Sequence, residues 1–245
     1  MQTVIQGILT NYTILGSKNP KTILILHGWG QNLENWKGVA EHLSSKYKVV
    51  SLDLPGFGSS TQPIDVFDIQ KYSDFVNEFI DKLSLFRLTL IGHSFGGKIS
   101  IKIAADNPKI DKLFLISPSG IEDRPFFVKV KAAIPKILKI FLFWLPQSLK
   151  EKYIQTLGSS DYKNAGEMRE TFKKIVGTRV TTFAERIEIP TIIIWGEKDT
   201  ELNFKNAKLL KSLITNSTLR ILWGVDHSPN ISATEKLSEL LLEYL

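Results

Sequence analysis

The chain has 245 residues, of which 43% are hydrophobic and 23% are charged, as is usual for a globular domain with its own core. It contains no cysteine, which excludes disulfide bonds, thiolate metal sites and cysteine nucleophiles. The formal net charge is +6. We interpret it as a solvated basic surface rather than a nucleic-acid interface, because no arginine-rich or aromatic-interleaved binding motif accompanies it.

The first 19 residues contain no basic segment followed by a long apolar run. We therefore expect no secretion signal and a cytoplasmic location. No uninterrupted apolar run in the sequence approaches the roughly 20 residues of a membrane-spanning helix, so we expect no transmembrane segment. The sequence gives no indication of the oligomeric state.

Two short stretches at residues 3–5 and 12–15 predict a hairpin or a meander at the edge of a sheet. The apolar runs that follow are continuous rather than alternating, which is typical of strands buried on both faces of a parallel sheet. Helical spacing recurs between them, and Ser232 with Glu235 predicts a capping box at the last helix. The apolar runs are residues 23–26, 49–52, 88–91, 113–116, 192–195 and 219–223. This alternation predicts an α/β fold with a mostly parallel, doubly wound sheet.

One segment, residues 121–186, interrupts the alternation because it contains no strand pattern. We expect it to form a helical cap inserted after the sixth strand, over the carboxyl ends of the strands. The predicted core then comprises residues 1–120 and 187–245. The helices predicted in the cap lie near residues 126–133, 136–144, 149–156 and 165–176.

The motif Gly92-His93-Ser94-Phe95-Gly96 lies between a predicted buried strand and a predicted helix. In a G-x-S-x-G turn the glycines let strand and helix approach closely, and the serine hydroxyl is exposed at the carboxyl edge of the sheet. In this context the motif resembles the nucleophile elbow of the α/β-hydrolases. The resemblance implies the α/β-hydrolase fold, with Ser94 as the catalytic nucleophile.

A serine hydroxyl is a poor nucleophile unless a base removes its proton. His227 follows the last predicted strand, at the sheet edge where Ser94 is expected, and is therefore the candidate base. The histidines whose positions do not favour contact with the serine are His27, His42 and His93.

A third group must orient the imidazole and stabilise its charge. Asp199 and Glu197 both follow the preceding strand. We prefer Asp199 because it reaches further from the strand and matches the family spacing, with Glu197 as the alternative. The resulting chain order is Ser94, Asp199, His227, as this fold requires.

Acyl transfer also needs hydrogen-bond donors for the oxyanion that forms on the substrate. Phe95 supplies one backbone N–H as the residue after the nucleophile. The block His27-Gly28-Trp29-Gly30 resembles the His-Gly loop of the family. The resemblance implies that Trp29 supplies the second N–H. We also expect its indole to line the pocket, and His27 and Gly28 to shape the loop.

The resemblance covers nearly the whole chain outside the predicted cap. A further block, residues 53–60, also resembles the family, and we interpret Asp53 as bracing its turn rather than as catalytic. Dehalogenases and epoxide hydrolases of this fold carry an aspartate nucleophile, so Ser94 argues against both. The resemblance implies a cap-bearing serine hydrolase of the carboxylesterase and C–C bond hydrolase branch, which needs no metal and no cofactor.

Residues 124–150 interleave basic with apolar and aromatic side chains and contain no acidic residue. Three interpretations remain open: a lid with lysines facing water, a basic surface that weakly contacts anionic lipid, and Arg124 binding a substrate carboxylate. All three predict an apolar pocket. The candidate lining residues are Trp29, Phe127, Phe141 and Trp144.

Together these patterns predict a serine carboxylesterase that acts on small to medium apolar esters through an acyl-enzyme. A C–C bond hydrolase, a lactonase and a monoacylglycerol lipase share the same triad and remain open as alternatives. A ligand-binding receptor on a hydrolase scaffold and a membrane-surface scaffold are the alternatives from other classes. The expected partner is a small-molecule ester, and we expect no metal, cofactor or nucleic acid.

Overall fold

The computed structural model describes residues 1–121 and 164–245. The strands are β1 (Gln2–Ile5), β2 (Ile8–Leu15), β3 (Thr22–Leu26), β4 (Lys48–Leu52), β5 (Leu88–His93), β6 (Ile110–Ile116), β7 (Thr191–Gly196) and β8 (Ser217–Leu222). They form one sheet in the order β1-β2-β4-β3-β5-β6-β7-β8. β1 pairs antiparallel with β2, and β2 with β4, whereas the other neighbouring strands are parallel.

Helices flank the sheet on both faces. In chain order, those of the described residues are α1 (Lys37–Ser44), α2 (Ile69–Lys82), α3 (Ser94–Ala104), α4 (Arg169–Gly177), α5 (Thr181–Ala184), α6 (Lys205–Leu213), α7 (Pro229–Ser232) and α8 (Thr234–Tyr244). Single 3-10 turns precede α1 and α4, at Leu33–Trp36 and Gly166–Met168. Within these described ranges, no helix combines the length and the apolar character needed to cross a membrane.

The central strands are buried on both faces because helices cover both sides of the sheet and successive side chains point to opposite sides. In β3, Leu24 and Leu26 join the core on the side of α2 and α3, whereas Ile23 and Ile25 join the core on the side of α1 and α8. None of the four side chains is more than 1% exposed. The predicted α/β fold, with a mostly parallel sheet and an antiparallel hairpin at one edge, is confirmed.

Of the predicted cap, residues 121–186, the structure describes residue 121 and residues 164–186. There the 3-10 turn Gly166–Met168 and α4 occupy the place of the helix predicted at residues 165–176. From residue 164 the chain reaches β7 without forming another strand. The other helices predicted in the cap lie outside the described residues, as does Arg124, the residue considered for binding a substrate carboxylate.

The capping box predicted for the last helix is wrong. Ser232 ends the one-turn helix α7, which Pro229 begins, and its hydroxyl donates to the carboxylate of Asp226 at 2.7 Å. α8 begins two residues later, with Ala233 as its N-cap and no side-chain hydrogen bond at the cap. Pro229 starts a separate helical turn, because the fixed φ of proline suits the first helical position. Ser232 is the last residue of this turn and therefore does not cap the helix that follows.

Candidate active site

The serine motif forms a sharp turn between β5 and α3, at the carboxyl edge of the sheet. Ser94 has a φ of 47°, which is unfavourable for a residue with a side chain and stores strain at the turn. A Cβ on Gly92 would collide with α3, and a Cβ on Gly96 would collide with the carbonyl oxygen of Leu26. The two glycines therefore permit the close packing that holds Ser94 at the apex.

Two further loops bring polar side chains to Ser94. His227, between β8 and α7, places its Nε2 3.0 Å from Ser94 Oγ. Asp199, between β7 and α6, places its Oδ2 2.8 Å from Nδ1 of His227. Because an ionised carboxylate only accepts, Nδ1–H donates to Asp199, and the Nε2 lone pair is left to accept the serine O–H. The structure thus brings together the three residues predicted as a triad.

The carboxylate of Asp199 is held by its own loop and is shielded from water. One oxygen accepts the backbone N–H of Leu202 at 2.9 Å, and the side chain is only 1% exposed. Burial raises the pKa of Asp199, but hydrogen bonds from His227 and Leu202 outweigh it, so that the pKa lies below its usual value. Glu197, the alternative acid, instead accepts the backbone N–H of Gly224 at 3.1 Å.

The imidazole of His227 is surrounded by acidic groups. Burial lowers the pKa of His227. The hydrogen bond to Asp199 and the negative charges of Asp199, Glu201 and Asp226 outweigh burial, so the pKa of His227 lies above its usual value. The surroundings therefore stabilise the imidazolium that a general base becomes when it accepts a proton.

Two other histidines at this edge bind backbone groups rather than the serine. His93 donates its Nε2–H to the carbonyl oxygen of His227 at 2.8 Å. His27 accepts the Leu54 N–H at 3.0 Å on Nε2, so its Nδ1–H donates to the Gly28 carbonyl at 2.7 Å. Burial lowers the pKa of His93 to about 3 and that of His27 to about 4, so both rings are neutral connectors between loops. The sequence did not predict this contact of His93.

Aromatic side chains pack around the loop that follows β3. The indole of Trp29 lies 4.8 Å from the ring of Phe57 and 5.3 Å from that of Phe95, between centroids. Phe172 of α4 approaches the same indole at 4.9 Å, so the described end of the predicted cap contacts this loop. The three rings meet Trp29 edge to face, an arrangement that aromatic pairs favour. Trp29, Phe57, Phe95 and Phe172 together form an apolar wall beside the turn that carries Ser94.

Only part of the predicted pocket can be compared with the structure. Phe127, Phe141 and Trp144 lie outside the described residues, whereas Trp29 belongs to the aromatic wall. Phe57 and Phe172 were missed, although Phe57 lies in a block that resembles the family. Trp29 and Phe95 are neighbours, and the donation of their N–H groups to an oxyanion stays a prediction.

Asp53 occupies a structural position, as interpreted from its sequence. Its Oδ2 accepts the Ser59 N–H at 2.8 Å, which braces the turn at residues 53–60. Its Oδ1 accepts the Leu33 N–H at 2.7 Å, which connects that turn to the 3-10 turn before α1. His42 lies exposed on α1. In the part of the chain that the structure describes, no cluster of three acidic or imidazole side chains is placed to hold a metal ion.

A family model described as the alpha/beta hydrolase fold matches residues 21–147, just over half of the chain. A monoacylglycerol lipase from Mus musculus is 27% identical, with 96% of this chain and 78% of the relative covered. Lipase 1 from Psychrobacter immobilis is 24% identical, with 97% and 80% covered.

Solved structures of the same architecture resemble the chain over its whole length. A membrane phospholipase A, described as a bacterial virulence factor, has a TM-score of 0.80 at 25% identity, with 100% of this chain and 84% of that chain covered. A meta-cleavage product hydrolase has a TM-score of 0.76 at 21% identity, with 100% and 97% covered. At the latter identity the likeness concerns the fold alone.

Proposed function

The chain belongs to the α/β-hydrolase fold family, and on that premise we propose that it is a serine carboxylesterase for small to medium apolar esters. The observation that carries the proposal is the hydrogen-bond chain from Ser94 Oγ through the His227 ring to Asp199. Such a chain gives a serine the base it lacks and gives the base a carboxylate that stabilises its charge.

In the acylation step, His227 accepts the hydroxyl proton on Nε2 while Ser94 Oγ forms a bond to the ester carbonyl carbon. Asp199 stabilises the imidazolium through Nδ1, and the backbone N–H groups of Trp29 and Phe95 are proposed to bind the oxyanion. The C–O bond to the alcohol then breaks. His227 returns its proton to the leaving oxygen, and the acyl group remains on the serine.

In the deacylation step, water takes the place of the alcohol. His227 accepts a proton from the water as its oxygen attacks the acyl carbon, and the same N–H groups bind the second oxyanion. Collapse of this intermediate breaks the bond to Ser94 Oγ, which regains a proton from His227. The net reaction converts an ester and water into an alcohol and a carboxylic acid.

The apolar wall of Trp29, Phe57, Phe95 and Phe172 supports a substrate with an apolar acyl or alcohol group. The relatives named as a lipase and a monoacylglycerol lipase support the same preference and favour fatty acid esters. Monoacylglycerol hydrolysis is therefore the second candidate. C–C bond and lactone hydrolysis remain alternatives of the same chemistry.

The test is hydrolysis of p-nitrophenyl esters from acetyl to decanoyl by the wild type and by Ser94→Ala. We expect the wild type to turn over and Ser94→Ala to lose about 10⁴-fold or more in kcat, because the hydroxyl is the nucleophile. The matched control is Ser212→Ala, which removes an exposed hydroxyl on α6 and should retain wild-type rates. The chain-length optimum measures the length of the pocket.

A fluorophosphonate probe supplies a second readout, because it phosphonylates an activated serine without turnover. Intact mass and peptide mapping should place one adduct on Ser94 and none in Ser94→Ala. Retained hydrolysis by folded Ser94→Ala would contradict the proposed nucleophile. If the folded wild type hydrolyses no ester of the series, the esterase proposal is wrong.

A further inference from the structure

A second carboxylate lies against the imidazole of His227, on the side that faces the serine. The Oε2 of Glu201 is 3.6 Å from Nε2 of His227, the nitrogen that is 3.0 Å from Ser94 Oγ. The side chain of Glu201 is 62% exposed, whereas that of Asp199 is 1% exposed. The two carboxylates therefore lie on different sides of the ring. Asp199 is buried beside Nδ1, and Glu201 is exposed beside Nε2.

The loop that carries Asp199 also fixes the backbone of Glu201. Oδ1 of Asp199 accepts the backbone N–H groups of Glu201 and Leu202, both at 2.9 Å. A side chain that bonds to the backbone two and three residues ahead closes a tight turn. The position of Glu201 thus follows from the same turn that orients the proposed triad carboxylate.

The charged and titratable groups around His227 come from three elements. Asp199 and Glu201 lie in the loop after β7, Asp226 precedes His227 in its own loop, and His93 lies at the end of β5 with its ring 5.1 Å away. Burial lowers the pKa of His93 to about 3, so that ring adds no positive charge at neutral pH. Of these groups, Glu201 is the exposed carboxylate beside Nε2.

We propose that Glu201 is a specificity-determining residue, which selects against substrates with a negative charge near the scissile bond and favours uncharged esters. This inference rests on the proposed esterase function. An ester carbonyl at Ser94 Oγ must lie next to Nε2 of His227, and therefore within a few ångströms of the Glu201 carboxylate. Like charges at such a distance repel, and the repulsion weakens as salt is added.

The same carboxylate affects the base itself. A negative charge beside Nε2 favours the protonated imidazole, which cannot accept the serine proton. Glu201 therefore shifts the acid limb of the esterase pH profile to higher pH. Removing its charge should lower the pKa of His227 and extend activity toward acid.

The test compares two esters of equal acyl length, uncharged p-nitrophenyl butyrate and anionic p-nitrophenyl hemisuccinate, with the wild type and with Glu201→Gln. In Glu201→Gln at low ionic strength, we expect the ratio of kcat/KM for the anionic to the uncharged ester to rise about tenfold. The rise should diminish in about 0.5 M salt. The matched control is Glu197→Gln, since Glu197 binds Gly224 instead of the imidazole, and its ratio should stay within twofold of the wild type.

The charge contact with His227 is tested without turnover by NMR titration of the imidazole in Ser94→Ala. Adding Glu201→Gln should move the midpoint by about half a pH unit toward acid, as a lost neighbouring charge requires. If the wild type hydrolyses the esters but Glu201→Gln changes neither ratio nor midpoint, the role of Glu201 is overturned and the esterase stands. If the wild type hydrolyses neither ester, the esterase proposal fails, and the specificity proposal fails with it.

Discussion

Two histidine rings at the carboxyl edge of the sheet lie 5.1 Å apart and differ in what binds them. The Nε2–H of His93 donates to a backbone carbonyl, and burial lowers the pKa of His93 to about 3. His227 is also buried, yet the carboxylates of Asp199 and Glu201 outweigh burial and raise the pKa of His227. The chemistry of the partner, rather than depth, decides whether a histidine at this edge has a lowered or a raised pKa.

The substitution expected to break this contrast most strongly is Asp199→Asn. The amide keeps the shape of the carboxylate but loses its charge, and its NH₂ group can donate to Nδ1 and select the wrong tautomer. We expect kcat for p-nitrophenyl butyrate to fall by about 10³–10⁴-fold at pH 8. Thermal unfolding of the variant checks that it is folded. A loss of less than tenfold in a folded variant would mean that Asp199 is not the orienting group.

Substitution of His93 tests the neutral partner in the comparison. His93→Leu removes the donor to the His227 carbonyl, and that carbonyl is left without its buried hydrogen bond. We expect kcat/KM for p-nitrophenyl butyrate to fall by about 10–100-fold, because a small displacement of the base is costly to catalysis. The acid limb of the pH profile should move little, since His93 carries no charge in the working range.

His93→Gln is the matched variant, because its amide can donate to the same carbonyl. It should recover part of the activity that His93→Leu loses. Equal losses in the two variants would show that the hydrogen bond to His227 does not position the base, and that the shape of the ring alone matters.

The sheet and the positions of Ser94, Asp199 and His227 could be predicted because they depend on local patterns and on one general property of the fold. Continuous apolar runs mark strands buried on both faces, and parallel strands bring their carboxyl ends to one edge. Loops that follow β5, β7 and β8 therefore meet in space, although Ser94 and His227 are 133 residues apart in the chain.

The contacts that sequence reasoning missed depend on side-chain direction within those loops. The hydrogen bond from His93 to the His227 carbonyl depends on how the loop between β8 and α7 packs against the end of β5. The two residues are 134 positions apart in the chain, so no local pattern indicates the contact. Glu201 reaches Nε2 because the Asp199 turn directs it there. Phe172 lies on α4, and no periodic pattern in the sequence indicates that this helix packs against Trp29.

The contrast between the buried histidines and His227 also predicts how stability depends on pH. His27 and His93 have folded pKa values of about 4 and about 3, below the ordinary value of 6.5. Between pH 6.5 and these values the unfolded chain binds protons that the folded chain does not, so stability falls as pH falls. Each ring contributes a slope of about 1.4 kcal/mol per pH unit across that window. The raised pKa of His227 acts oppositely, because its contribution is complete below pH 6.5 and is lost as pH rises through its folded pKa.

Urea unfolding between pH 6.5 and pH 5 checks this dependence above the range where most carboxylates titrate. As pH falls, the unfolding free energy of His93→Gln should decrease less steeply than that of the wild type, by about 1.4 kcal/mol per pH unit. The reason is that the variant lacks the ring that binds a proton in the unfolded chain but not in the folded chain. His42→Gln, a substitution of the exposed histidine on α1, is the control and should leave the slope of the wild type. Parallel slopes in all three proteins would mean that His93 takes up a proton in the folded state, and a charged ring there could no longer serve as the neutral connector to His227.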